Sequence, residues 1–142
     1  MSDEQPDRRR RRVILACCSL SLFIVSLDAT IVNVGLPSIQ RDLHTDVAGL
    51  QWVLDAYLLV LASLLVLSGS LGDRFGRRRM FRIGLVTFGV GSLLCSVAPN
   101  VELLVTFRML QAAGGSMLNP NSLSIISNVF TDSRERAQAI GV

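Results

Sequence analysis

Three ionisable side chains lie inside long apolar runs of this sequence: Asp28, Asp55 and Arg108, with the amide of Gln111 one turn past the arginine. A charge near the middle of a bilayer costs about 2.5 to 3.5 kcal/mol on insertion scales, so such groups are expected to be paired, neutralised or hydrated. An acid in that setting can take up and release a proton, and a guanidinium beside it favours its charged form. At about 1.5 Å per residue, Asp28 falls roughly 12 Å from the outer end of its run, Arg108 roughly 10 Å and Asp55 roughly 9 Å, so all three share one layer. The expectation is that Arg108 faces Asp28 or Asp55 across a polar cavity and that this group couples proton and substrate. Two competing readings stay open: Arg108 sits about two turns in and can snorkel to the outer interface, and Asp55 can reach headgroup water. Aspartate is too short for Asp28 to do the same.

Other chemistry has little support. There is no nucleotide loop, no metal-ligand spacing and no nucleophile with a base, so neither an enzyme nor a cofactor is expected. Cys17, Cys18 and Cys95 lie in apolar runs and are expected to be buried small side chains. His44 stands alone in a polar connection and is given no role.

The elements that must position the acids are membrane helices. Half the residues are hydrophobic, 18% are charged and the mean hydropathy is +0.48. The expected spans are residues 13–36, 49–71, 82–98 and 101–126, with a fifth helix beginning at about residue 137. Residues 1–12 form a basic tail, and 13–142 part of a transmembrane bundle. The tail does not make a signal peptide, because the run after it is as long as a full span and contains no small-residue cleavage site. The chain looks truncated within its fifth helix.

All fourteen basic residues are arginine, and most cluster at the ends of apolar runs, which argues for lipid rather than nucleic acid as the partner of this positive charge. Arg8 to Arg12, Arg74 to Arg82, and Arg134 with Arg136 fall on one side, expected to be cytoplasmic, with the N-terminus there. Helical spacing then gives polar stripes: Cys17, Ser21, Asp28 and Gly35; Gln51, Asp55, Ala62, Gly69 and Asp73; and Arg108, Gln111, Gly115, Asn119 and Ser122. Each is expected to face inward. Thr30 and Asn33 point to another face of the first helix and are expected to bond a neighbouring helix. Gly84, Gly89 and Gly91 make the third helix a packing element.

Between the second and third spans, Gly69, Gly72, Asp73, Arg74, Gly76, Arg77, Arg78 and Arg79 form a short polar turn. Most of these arginines are topology signals that meet anionic lipid. Asp73 and Arg74 suggest more: an acid here can accept from a neighbouring helix N-terminus or pair with an arginine, as a latch that breaks in one conformation.

The segment from Gly69 to Arg79 resembles the loop signature between helices two and three of the major facilitator superfamily. The segment from Leu27 to Pro37 is similar to the first-helix signature of that family's fourteen-helix drug:proton antiporter branch, and Gln51 to Tyr57 to its second-helix opening. Arg108, Gln111, Gly114, Gly115 and Pro120 resemble its fourth-helix signature. Ala112 and Gly35 depart from the pattern by small swaps that preserve close packing. The resemblance implies an all-α carrier driven by a proton gradient, with multidrug efflux as its activity. It also implies a plasma-membrane location, a lipophilic or cationic small-molecule substrate, and further helices of the same carrier as partners. It equally permits a major-facilitator importer of a small organic solute. A non-transporting membrane remnant or interaction protein is the reading from a different class.

Overall fold

The computed structural model describes residues 8–129, which form four helices: α1 Arg8–Asp42, α2 Val47–Phe75, α3 Arg77–Ser96 and α4 Val101–Val129. Arg134, Arg136 and the expected fifth helix lie outside the described residues. Short connections make neighbouring helices antiparallel. The starts of α1 and α3 meet the end of α4 around Val13, Arg82 and Ile125, while the end of α1 meets the starts of α2 and α4 around Leu43, Gly49 and Val101. The arginines of α1 and α3 therefore share one end, as the charge asymmetry requires.

Local chemistry sets the ends. Asp46 has extended backbone and its Oδ1 accepts from the Gly49 N–H at 2.9 Å, capping α2. Asn100 does the same for α4, its Oδ1 accepting from the Leu103 N–H at 2.9 Å. Gly76, with φ 94°, separates α2 from α3 in a backbone region that a side chain would strain.

The helices run past the expected spans. α1 continues through Pro37 to Asp42, whereas residue 36 was the expected end, and its start at Arg8 takes in the arginines assigned to the tail. A proline removes only one intrahelical bond, and membrane helices tolerate that loss. Pro120 is likewise carried inside α4.

α1, α2 and α3 are each long and apolar enough to cross a membrane. α4 is as long as α2, yet polar residues lower its hydropathy below that of a span by composition. The reason is its position. α4 packs against all three other helices, and Arg108, Gln111, Ser116, Asn121 and Ser122 are buried along it. The outer surface is apolar instead, with Val34, Val66, Val86 and Leu93 all well exposed. Such a surface suits lipid or further protein, not water.

α3 lies closest to α4. A Cβ at Gly114 would stand 2.8 Å from the Gly84 carbonyl oxygen and 2.9 Å from Phe88 Cα, and a Cβ at Gly91 would stand 2.8 Å from Gln111 Cα. Only glycine permits this approach. Gly89, by contrast, faces open space. Gly114→Ala is therefore expected to push α3 off α4 and destabilise the bundle by about 1 to 3 kcal/mol, the usual cost of overpacking. A thermal melt of the protein in detergent checks this; an unchanged melting temperature would mean the helices are not held this close.

Candidate proton-coupling site

Asp28, Arg108 and Gln111 converge between α1 and α4. Arg108 Nη1 donates to Asp28 Oδ2 at 2.6 Å and to Gln111 Oε1 at 2.9 Å, and Gln111 Nε2 donates to Asp28 Oδ1 at 2.8 Å. The three side chains close a ring in which both carboxylate oxygens are engaged. Arg108 and Gln111 are one turn apart, so α4 presents them together, while Asp28 is carried in on α1. Ser21 of α1 and Ser122 of α4, 3.4 Å apart, tie the same helix pair nearer its other end.

Burial distinguishes the partners. Arg108 is 3% exposed, and its side chain does not reach an interface. The Asp28 side chain retains 14% exposure and lines a cavity of about 370 Å³. That lining runs from Asp42, Leu43 and Ala98, at the arginine-poor end, to Asp28, Arg108 and Gln111. The acid is thus the most exposed member of the ring. Cys95 Sγ, 3.7 Å from Gln111 Oε1, closes the cavity from α3.

Asp55 does not join them. It is exposed on α2 and makes no ion pair among the described residues. Its stripe corrects the expectation more broadly, since Gln51, Ala62 and Asp73 are exposed with it. α2 instead buries Val53, Ala56, Tyr57, Ser68 and Gly72. Ser68 donates to the Ser116 carbonyl at 2.6 Å, which is how a polar group of α2 reaches α4. Thr30 and Asn33 also depart from expectation. Thr30 Oγ1 donates to the Ser26 carbonyl and Asn33 Nδ2 to the Ala29 carbonyl, so each satisfies itself within α1 on an exposed face. Cys18 is buried as expected, whereas Cys17 is exposed.

Tyr57 was absent from the expected site. Its ring lies against the Arg108 guanidinium, with Cζ 4.1 Å from the ring centroid. Gly115 of α4 lies beside its hydroxyl, and Pro120 packs near Gly69 of α2.

At the arginine-rich end, Arg77 donates to Asp73 Oδ1 from Nε at 3.0 Å and from Nη2 at 2.8 Å, bridging α2 and α3 across Gly76. Arg74 stacks over Phe75 at 5.7 Å rather than joining this pair. Exposed pairs of this kind contribute about 0.3 to 0.5 kcal/mol, so the bridge is weak enough to open during a conformational change. Asp73→Asn is expected to leave membrane insertion and stability unchanged while slowing the transport that the family resemblance implies. Vesicle uptake kinetics equal to those of the unaltered protein would remove the latch.

The ring of acid, arginine and amide on two packed membrane helices is the setting in which the comparisons with known proteins become informative. Residues 18–142 match the family model of the Major Facilitator Superfamily. The chain belongs to the major facilitator superfamily. Among curated relatives, this major-facilitator chain is 42% identical over 137 residues to a puromycin resistance protein of Streptomyces alboniger, covering 96% of the chain and 27% of the relative. It is 44% identical over 133 residues to the multidrug efflux pump LfrA of Mycolicibacterium smegmatis, covering 94% and 26%. A riboflavin transporter of Clostridioides difficile, RibZ, is 34% identical over 134 residues, covering 94% and 29%. The chain thus spans about a quarter of the length of the curated relatives it matches. Membership places the chain in a family whose matched relatives include a named efflux pump and a named transporter.

Proposed function

We propose that this chain supplies the proton-coupling helices of a secondary carrier that exports drugs against an inward proton gradient. The observation that carries the reading is the Asp28–Arg108–Gln111 ring beside a cavity, with the acid its most exposed member. A proton arriving through that cavity neutralises Asp28 and weakens its pairing with Arg108. Because α1 and α4 meet through this pair, the change biases one helix bundle to rock against the other around a midplane site. The proton gradient is the energy source and no further cofactor is used. Antiport follows if substrate and proton bind in alternation at the same acid.

Drug efflux is favoured because the relatives that match most of the chain include one named as a multidrug efflux pump, LfrA, and one named as a puromycin resistance protein. An acid on the pathway suits a lipophilic cation. The carrier sits in the cell membrane with the arginine-rich end and the N-terminus cytoplasmic, since arginine-flanked ends stay on that side. The test is ethidium accumulation in cells expressing the full-length carrier. Lower accumulation, restored by a protonophore, is expected; accumulation above that of control cells would favour import. Import is the second reading, supported by the likeness to the riboflavin transporter RibZ.

A further inference from the structure

The Arg108 guanidinium is compensated unevenly. Nη1 makes both of its hydrogen bonds, to Asp28 and to Gln111, while Nε is buried with no hydrogen-bond partner among the described residues. The remaining compensation is an aromatic face, the ring of Tyr57 on α2, 4.1 Å from Cζ. A cation over such a face is attracted by the ring quadrupole, most strongly where water is excluded, and both residues here are 3% exposed. The Tyr57 hydroxyl likewise has no hydrogen-bond partner among the described residues. It occupies the space left by Gly115, where a Cβ would lie 3.3 Å from the oxygen. The working feature of Tyr57 is its ring.

That arrangement matters when Asp28 is protonated. Around the guanidinium stand Asp28 from α1, Tyr57 from α2, Cys95 from α3 beside Gln111, and Gln111 itself on α4. Of these, Asp28 is the acid that neutralises Arg108, and its charge is what the proposed cycle removes. We infer that Tyr57 is a positioning residue whose ring retains Arg108 inside the bundle while Asp28 carries the proton. The inference rests on the proposed coupling role of the Asp28–Arg108 pair. It makes α2 part of the coupling device through Tyr57, where Asp55 was the residue expected to do so.

The experiment compares Tyr57→Phe, Tyr57→Leu and Tyr57→Met in the full-length carrier, with ethidium uptake into everted membrane vesicles, the equivalent of efflux from cells, measured across pH and membrane levels matched by immunoblot. Tyr57→Phe keeps the face and should retain efflux and its pH profile. Tyr57→Leu and Tyr57→Met fill the space without a ring and should lower efflux roughly tenfold, the order expected for a desolvated cation–π contact, with an altered pH profile. A pH profile in Tyr57→Leu or Tyr57→Met equal to that of the unaltered carrier would overturn the inference. So would equal losses in Tyr57→Phe and Tyr57→Leu, which would assign the role to the hydroxyl. Asp28→Asn run in parallel separates the two levels: persistent proton coupling in that variant would overturn the pair's role itself, whereas its loss beside an unaltered Tyr57→Leu would overturn only the role of the ring.

Discussion

Asp28→Asn is expected to abolish drug resistance conferred by the full-length carrier while leaving its amount in the membrane unchanged. The amide has nearly the shape of the carboxyl, and its oxygen can still accept from Arg108 Nη1 or Gln111 Nε2, whose bonds to Asp28 are 2.6 and 2.8 Å. Packing between α1 and α4 is therefore kept. What disappears is the exchange between charged and neutral forms. A charge at this depth is worth about 2.5 to 3.5 kcal/mol, and a bundle that no longer gains or loses it forfeits a bias of roughly a hundredfold between its two conformations. Minimum inhibitory concentrations of ethidium near those of cells lacking the carrier are the expected result. Resistance within twofold of the unaltered carrier would show that another group carries the proton.

Arg108→Ala should have the opposite balance, a larger structural cost. Removing one partner of a buried pair leaves the other uncompensated, at a typical cost of about 3 to 5 kcal/mol. Gln111 Nε2 remains on Asp28 Oδ1, so the acid is not wholly abandoned. Tyr57 loses the cation under its ring at the same time. The double variant Asp28→Asn with Arg108→Ala should recover part of the stability lost in Arg108→Ala, because neither charge is then left alone. Melting temperatures of the four proteins in detergent measure that coupling, and additive losses would mean the pair is not energetically linked.

The acid and arginine were legible in the sequence because charge in an apolar run is expensive enough to demand a partner. Helical spacing then put Gln111 beside Arg108, one turn away on the same face. The same logic put Asp55 on an inward face, where the fold does not place it. Its stripe of Gln51, Ala62 and Asp73 has regular spacing, but the neighbouring face bearing Val53, Ala56, Tyr57 and Ser68 is the one that packs. Small and aromatic groups fit against α4 more closely than a charged stripe, and periodicity alone does not say which face wins. A signal for Tyr57 was present: it is the sole tyrosine of the chain, set in an apolar run next to Ala56. Buried tyrosine marks a site where a flat face is needed, though its partner emerges only once α2 and α4 are in contact. Thr30 and Asn33 failed for a local reason, since a hydroxyl or amide in a helix can bond the carbonyl four residues back and needs no neighbour. Pro37 looked like an end because proline usually stops a helix, yet α1 passes through it to Asp42.

The most direct test of Asp28 as the proton-carrying group is proton flux. Everted vesicles containing the full-length carrier are acidified inside by respiration and followed with a pH-sensitive dye while ethidium is added outside. The unaltered carrier should drain the gradient as it takes up ethidium, and Asp28→Asn, at the same membrane level, should leave the gradient intact. Equal drainage by the two proteins would contradict the account.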